Sequence, residues 1–225
     1  MSDTKINIKI LKAVSTTNLS DACDRLGIND VVLKGIHAVV NNMNKVFGRV
    51  ITVKLTTNVV KNPPHLGIEA VEKAQAGEII VIANEGRTDM ACWGGILSTA
   101  ASFKNLAGVI IDGACRDVEE IANLQFPVYS KGISLKSARN RVFQEGLNVP
   151  VILSGIEINP GDILVADENG CLCIPQSSEE EILTEAYFLF TIENEMVEAI
   201  KSGKSISQVD NDEKFKNILK MQDEK

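Results

Sequence analysis

Apolar segments alternate with helical segments in the middle of the chain, and this order leaves few folds open to it. Residues 79–83 are wholly apolar, residues 108–112 are nearly so, and residues 126–129 form a third short apolar segment. The glycines at 94–95 open a stretch with helical spacing of apolar residues, and a further helix is predicted to begin near Asp117. Continuous apolar runs of this length are typical of strands buried on both faces. The order strand, helix, strand, helix, strand predicts an α/β fold with two crossover connections and a parallel component in its sheet.

Further elements are predicted on both sides of this alternation. We expect a single domain spanning residues 1–205, because 225 residues of which 44% are hydrophobic suffice for one sizeable core. A polar tail, residues 206–225, is expected at its periphery. The additional segments, from their patterning and turn residues, are helices at 18–26, 68–74 and 178–202 and strands at 46–55, 149–152, 163–167 and 171–174.

The charge balance excludes several classes of partner. The chain has 23 Lys and Arg against 30 Asp and Glu, a formal charge of -7, so its surface should repel nucleic acid and anionic membranes. Residues 1–11 lack the apolar core of a secretory signal, and no apolar run reaches the roughly 18 residues that span a bilayer. We therefore expect a cytoplasmic protein with a small-molecule partner.

The residue types available for metal binding favour a hard cation. The five cysteines contain no CxxC pair, and two histidines, His37 and His65, stand apart from them. This pattern argues against a zinc site of thiolates or imidazoles. Any bound metal must be held by carboxylates, which favours Mg2+, Mn2+ or a similar divalent ion.

The segment most suggestive of chemistry is residues 93–120. Two glycines at a helix start leave backbone N–H groups accessible, so the amides of Gly95, Ile96 and Leu97 could hold a carboxylate or phosphate. Arg116 can bind a carboxylate through two parallel hydrogen bonds, and Asp117 offers oxygen to a hard cation. If both segments belong to one crossover unit, these groups face the same crevice.

The same residues admit structural interpretations. The Arg116–Asp117 pair could be a solvated surface pair or a helix start, and the glycines at 94–95 could merely let a helix approach the sheet. Asp112 could cap a turn, and Trp93 is expected in the core or an interface. Cys115 is expected to be a buried packing residue.

A combination of spaced residues in this segment resembles the signature of a known family. Gly95 is followed, after twenty residues, by Arg116-Asp117 and then by Glu120, with the turn Asp112-Gly113 between them. This pattern resembles the RraA-like superfamily of 4-hydroxy-4-methyl-2-oxoglutarate aldolases and regulators of ribonuclease E activity. The resemblance extends from about residue 16 to about residue 203.

The resemblance implies a fold, an assembly and a reaction. The fold would be an α-β-β-α sandwich like the swivelling phosphohistidine domain, with N- and C-terminal helices, assembled as a homotrimer or a dimer of trimers. The reaction would be metal-assisted cleavage of a 2-oxo acid to pyruvate through an enolate, with oxaloacetate decarboxylation as a side activity. The residues implied are Arg116 and Asp117 as catalytic, Gly94, Gly95, Ile96, Leu97 and Arg116 for substrate, Asp117 for Mg2+, and Glu195, or else Glu193, from a neighbouring subunit for the metal.

One departure from the aldolase pattern leaves two alternatives open. Aldolases of this family usually carry an acidic residue where this chain has Gly95, whereas a glycine there with Glu120 resembles the regulators. Glu85, Asp89 or Asp112 could compensate from nearby. The alternatives are therefore a non-catalytic regulator that binds a ribonuclease or helicase, and a lyase for another 2-oxo acid.

Overall fold

The computed structural model describes residues 7–41, 44–212 and 215. It divides the chain into two compact units. Of the described residues, 7–31, 178–212 and 215 belong to the helical unit, and 32–41 and 44–177 belong to the sheet unit. The single domain expected over residues 1–205 stays a prediction.

The helices and strands follow the predicted order with a few additions. The helices are α1 (Ile8–Ala13), α2 (Thr16–Leu26), α3 (Ile68–Lys73), α4 (Gly95–Phe103), α5 (Val118–Leu124), α6 (Glu179–Lys201) and α7 (Ile206–Asp210). The strands are β1 (His37–Ala38), β2 (Val46–Thr56), β3 (Ile79–Trp93), β4 (Gly108–Cys115), β5 (Val128–Ile133), β6 (Phe143–Leu147), β7 (Val151–Leu153), β8 (Ile156–Ile158), β9 (Ile163–Asp167) and β10 (Gly170–Ile174).

The sheet unit contains one large mixed sheet. Its strand order is β1-β5-β4-β3-β2-β9-β10, with β6 paired to β2, while β7 and β8 form a separate hairpin. The pairs β2–β3, β3–β4 and β4–β5 are parallel. The predicted α/β class with a parallel component is therefore confirmed, whereas the likeness to the swivelling phosphohistidine domain stays a prediction.

Both faces of the central strands are buried, which explains their continuous apolar sequences. One face packs against α3, α4 and α5, and the other against the β7–β8 hairpin. Such double burial favours near-continuous Val and Ile over the alternation of a half-exposed strand. The first face contributes Ile80, Ile82, Val109 and Ile111, and the second contributes Ile79, Val81, Ile110 and Tyr129.

The helical unit confirms the predicted capped helix near the N-terminus. Ser15 caps α2 by accepting a hydrogen bond from the Asn18 N–H, and Gly27 ends the helix in the left-handed conformation with φ 69°. Arg25 of α2 pairs with Glu185 of α6 through Nε and Oε1 at 2.5 Å. These contacts hold α2 along α6.

The tail predicted to be peripheral is helical at its start. The side chain of Ser205 caps α7, and Val209 within it is fully buried. Residues 213–214 and 216–225 of the predicted tail lie outside the described residues. Within the described part of the chain, no helix has the length and apolar character needed to cross a membrane.

Candidate functional site

A cavity of about 430 Å³ opens at the carboxyl ends of β3 and β4 in the sheet unit. Its volume lies within the range of about 300–1,000 Å³ that is common for small-molecule sites. This is the edge of a parallel sheet at which loops form binding sites. The lining residues are Pro63, Pro64, His65, Leu66, Ile68, Ala91, Cys92, Trp93, Gly94, Ile96, Leu97, Arg116, Asp117, Ser137, Arg139, Asn140, Val142 and Phe143.

Backbone hydrogen bonds bring the two predicted segments together at this cavity. The Arg116 N–H donates to the Trp93 carbonyl at 3.1 Å, so the end of β4 is tied to the end of β3. The Gly95 N–H donates to Asp117 Oδ2 at 3.0 Å. The structure thus brings Gly94, Arg116 and Asp117 to one cavity, whereas Gly95 is not among the lining residues.

Gly94 is needed because of close approach rather than backbone conformation. Its φ of −169° is extended and open to any residue. A Cβ added there would lie 2.5 Å from Asp117 Oδ2 and 3.2 Å from Arg116 Cγ. A side chain at position 94 would therefore displace the Arg-Asp pair.

Asp117 holds its position in an uncommon backbone conformation. It precedes α5 with φ 60° and ψ 46°, in the left-handed region that Asp tolerates better than most residues. Residues held in such conformations cost of order 1–3 kcal/mol and cluster at functional sites. The carboxylate therefore reaches α4 at some energetic cost to the chain.

Arg116 retains hydrogen-bonding capacity toward the cavity. Its Nε lies 3.4 Å from Asp117 Oδ2, and its side chain is 42% exposed. Among the described residues no other acidic side chain pairs with this guanidinium. The terminal nitrogens can therefore receive an anionic ligand through two parallel hydrogen bonds.

The amides at the start of α4 divide between two roles. Gly95, expected to contribute an amide to the ligand, instead donates to Asp117. The next intrahelical bond runs from Ser98 N–H to the Gly94 carbonyl, so the N–H groups of Ile96 and Leu97 find no acceptor within the described part of the chain. Orphan amides at a helix start form an anion-binding position, to which the helix dipole adds positive potential.

Among the residues that the structure describes, Asp117 is the one acidic residue that lines the cavity. The described residues contain no group of three or more His, Cys, Asp or Glu able to enclose a metal. Glu120 is exposed and lies next to Gly95, where an added Cβ would come within 3.2 Å of the Glu120 Cβ. The space that an acidic side chain at position 95 would need is thus partly filled by Glu120.

Two of the residues considered as compensating acids have partners of their own. Asp112 does not line the cavity, and its side chain, 5% exposed, pairs with Lys131 Nζ at 2.6 Å. It also accepts a hydrogen bond from the Gly86 N–H at 3.0 Å. Glu85 pairs with Arg87. The geometry therefore gives Asp112 and Glu85 structural contacts rather than places at the cavity.

The two glutamates named for the neighbouring subunit both lie on α6, in the helical unit. Glu193 accepts a hydrogen bond from Asn18 Nδ2 at 2.5 Å, which links α6 to α2 within one chain. Glu195 lies two residues further along the same helix. The role proposed for either residue in a partner's site stays a prediction.

Trp93 and the cysteines near the cavity are packing residues. The Trp93 indole N–H donates to Ser98 Oγ at 2.8 Å, and Trp93 is 2% exposed. Burial raises the pKa of the Cys92 thiol to about 12 and also raises the pKa of Cys115. The raised pKa keeps both thiols protonated at neutral pH, which disfavours a nucleophilic role.

The opposite wall of the cavity was not predicted from the sequence. It is formed by residues 63–68, which include His65, and by residues 137–143, which include Arg139 and Asn140. Neither segment carries a local motif, and each reaches the site through contacts distant in sequence. A run such as Pro63-Pro64 predicts a loop, but it does not predict which part of the fold that loop contacts.

Comparison with known proteins places this geometry in a family. Residues 16–173, which include the whole of the cavity lining, match the family model RraA-like, described as Aldolase/RraA. The chain belongs to the RraA-like family. The resemblance noted in the sequence is therefore confirmed.

Relatives within the RraA-like family carry different names. Protein DlpA of Legionella pneumophila is 33% identical over 213 residues, 94% of this chain but 34% of DlpA, so the chain spans about a third of that protein's length. A 4-hydroxy-4-methyl-2-oxoglutarate aldolase of Thermus thermophilus is 32% identical over 111 residues, which cover 48% of this chain and 65% of the aldolase. The crystal structure of Streptomyces coelicolor RraAS2, an unusual member of the RNase ES inhibitor RraA protein family, matches with a TM-score of 0.76 and 26% identity over 90% of this chain and 98% of that one.

Proposed function

We propose that this chain is a lyase that cleaves a 4-hydroxy-2-oxo acid of the 4-hydroxy-4-methyl-2-oxoglutarate type to pyruvate. Oxaloacetate decarboxylation is proposed as a side activity, because it passes through the same enolate. The observation that carries the proposal is the convergence of Arg116, Asp117 and two free amides of α4 on one cavity. The aldolase of Thermus thermophilus, 32% identical over 48% of this chain, supports the reaction class.

The free amides and Arg116 provide the binding step. The N–H groups of Ile96 and Leu97 would receive the carboxylate next to the 2-oxo group, because both residues line the cavity at the start of α4 and their N–H groups have no acceptor among the described residues. Arg116 would hydrogen bond to the 2-oxo oxygen. It would stabilise the negative charge that develops there when the C3–C4 bond breaks and its electron pair forms the enolate.

Asp117 would support both proton transfers of the reaction. A water held by its carboxylate would accept the proton of the C4 hydroxyl as C4 becomes the carbonyl of the second product. The same position would return a proton to C3 of the enolate, so that pyruvate leaves. Because the Gly95 N–H holds Asp117 Oδ2 in place, the carboxylate is oriented before substrate arrives.

The residues present fit a divalent cation of the Mg2+ type. Mg2+ commonly binds proteins through one or two carboxylates and keeps several waters. Asp117 supplies such a carboxylate at the cavity, and Glu120 stands beside Gly95. When bound, a Mg2+ or Mn2+ ion would withdraw electrons from the 2-oxo acid and so weaken the C3–C4 bond. We also propose that the chain assembles as a homotrimer or a dimer of trimers, in which Glu195 of a neighbouring subunit would complete the surroundings of the metal.

A second candidate is a regulator that binds a ribonuclease or helicase partner without catalysis. Two observations favour it. Position 95 is glycine rather than an acid, and the described residues hold no cluster of three metal-binding side chains. The RNase ES inhibitor family of RraAS2 supplies the precedent for that class.

Pyruvate formation distinguishes the two candidates. The substrates are 4-hydroxy-4-methyl-2-oxoglutarate and oxaloacetate, each with Mg2+ or with EDTA, and the proteins are the native chain, Arg116→Ala and a control, Lys136→Ala. Lys136 is exposed and does not line the cavity. We expect activity that requires metal, falls at least about 100-fold in Arg116→Ala and persists in the control. Pyruvate release no faster than with Mg2+ alone would instead favour the regulator.

A further inference from the structure

The wall of the cavity that lies outside the family signature carries a second cationic group. Arg139 lines the cavity with Arg116, and within the described part of the chain Asp117 is the one acidic lining residue. The cavity therefore holds two guanidinium groups against one carboxylate. To these is added the positive end of α4. This balance suits a ligand with two negative groups rather than one.

The segment that carries Arg139 is fixed to the sheet rather than loose at the surface. The Ala91 N–H donates to the Lys136 carbonyl at 2.7 Å, and the Ala138 N–H donates to the Ala91 carbonyl at 2.9 Å. Ala138 and Val142, on either side of Arg139, are buried at 0% and 2% exposure. The backbone of Arg139 is thus anchored to β3 at the cavity.

No acidic side chain among the described residues competes for Arg139. Its backbone N–H donates to Ser137 Oγ at 3.1 Å, while none of the described acidic side chains forms an ion pair with its guanidinium. The side chain is exposed and long enough to move toward a ligand. An unpaired guanidinium at a cavity wall matches a carboxylate through two hydrogen bonds.

We infer that Arg139 is a specificity-determining residue that binds a second carboxylate of the substrate, distal to the 2-oxo acid group held by Arg116 and α4. Arg139 would then account for a preference for 2-oxo dicarboxylic acids, the class to which both substrates of the proposed function belong, over 2-oxo monocarboxylic acids. This inference rests on the proposed function for its substrate class, but it is testable by binding alone.

The fluorescence of Trp93 provides the measurement. Trp93 is the single tryptophan of the chain and lines the cavity, so its emission can report occupancy without turnover. The probes are 2-oxoglutarate and 2-oxopentanoate, which have the same chain length and differ in having a carboxylate or a methyl group at C5. Both are titrated in the presence of Mg2+ into the native chain, Arg139→Ala, Arg139→Lys, Arg116→Ala and the Lys136→Ala control.

The expected pattern is a loss of preference and not a general loss of binding. The native chain and Lys136→Ala should bind 2-oxoglutarate roughly 10- to 100-fold more tightly than 2-oxopentanoate, the range expected for a hydrogen bond between charged groups. Arg139→Ala should bind both acids equally, with unchanged affinity for 2-oxopentanoate, and Arg139→Lys should keep part of the preference. Arg116→Ala should weaken both acids.

Two outcomes would overturn the inference. One is a native chain that shows no preference for the dicarboxylate, and the other is a preference that survives in Arg139→Ala. The pyruvate assay is independent of this result. If the chain releases no pyruvate but shows the Arg139-dependent preference, the proposed reaction is wrong and the subsite stands. If it releases pyruvate but shows no Arg139-dependent preference, only the subsite is wrong.

Discussion

At the scale of single residues, Asp117 combines backbone strain, a capping hydrogen bond and a charge. Its φ is 60°, and its Oδ2 accepts the Gly95 N–H at 3.0 Å. Asn tolerates the same backbone region and retains an acceptor oxygen, whereas Ala has neither property. We therefore expect Asp117→Asn to unfold in urea within about 1 kcal/mol of the native chain, and Asp117→Ala to lose about 1–2 kcal/mol more.

We expect the activities of these two variants not to follow their stabilities. Both should lose most metal-dependent pyruvate formation, because neither carries the carboxylate charge at the cavity. Equal unfolding midpoints for the Asn and Ala variants would contradict the capping role of Asp117. Full activity in Asp117→Asn would contradict the role proposed for its charge.

At the scale of elements, α4 is tied to the end of β3 by one buried side-chain hydrogen bond. The Trp93 indole N–H donates to Ser98 Oγ at 2.8 Å, and both residues are at most 2% exposed. Ser98→Ala would leave a buried donor without an acceptor. We expect the free energy of unfolding to fall by about 1–3 kcal/mol, with a change in the emission of Trp93.

A matched control for this prediction lies on the same helix. Ser102 is on α4, is partly exposed, and its side chain makes no hydrogen bond with the described residues. Ser102→Ala should therefore change the unfolding free energy by less than about 0.5 kcal/mol. A Ser98→Ala variant as stable as Ser102→Ala would show that this bond does not hold α4 against β3.

Elements were predictable where local patterning decides them. Residues 79–83 and 108–112 were recognised as buried strands, and the helix starting at the glycines 94–95 begins at Gly95 in the structure. The continuation of β3 to Trp93 was not predicted. The polar residues between Ala83 and Trp93 break the apolar pattern expected of a buried strand. In the structure the register of β3 against β4 also shifts three times over this stretch.

The candidate site shows the same limit. Gly94, Arg116 and Asp117 belong to one crossover connection, so their meeting could be predicted from sequence. Arg139 reaches the cavity because residues 136–138 pair with Ala91 in β3, a contact across some 45 positions that no local pattern encodes.

At the scale of the whole molecule, the five cysteines make the stability of the fold sensitive to alkaline pH. All five are free and buried. Burial raises the pKa of every one of these thiols, to about 12 for Cys23 and Cys92, above the ordinary value of 9.0. Burial likewise raises the pKa of Tyr129.

The sign of the effect follows from where the protons are bound. Above about pH 9 the unfolded chain loses its thiol protons while the folded chain retains them, so rising pH favours unfolding. The stabilisation is complete below pH 9 and is lost as pH rises toward the folded pKa. Each thiol lowers the free energy of unfolding by at most about 1.4 kcal/mol per pH unit in this range.

Urea unfolding between pH 7.5 and 10, with a reductant present, measures this dependence. We expect a flat unfolding free energy up to about pH 8.5 and a steep decline above it. Cys92→Ala removes one of the titrating thiols, so its decline should be shallower by up to about 1.4 kcal/mol per pH unit, whatever its stability at neutral pH. An unfolding free energy that stays constant to pH 10 would mean that the thiols reach solvent in the folded chain, and the buried core drawn around the central sheet would then be wrong at those positions.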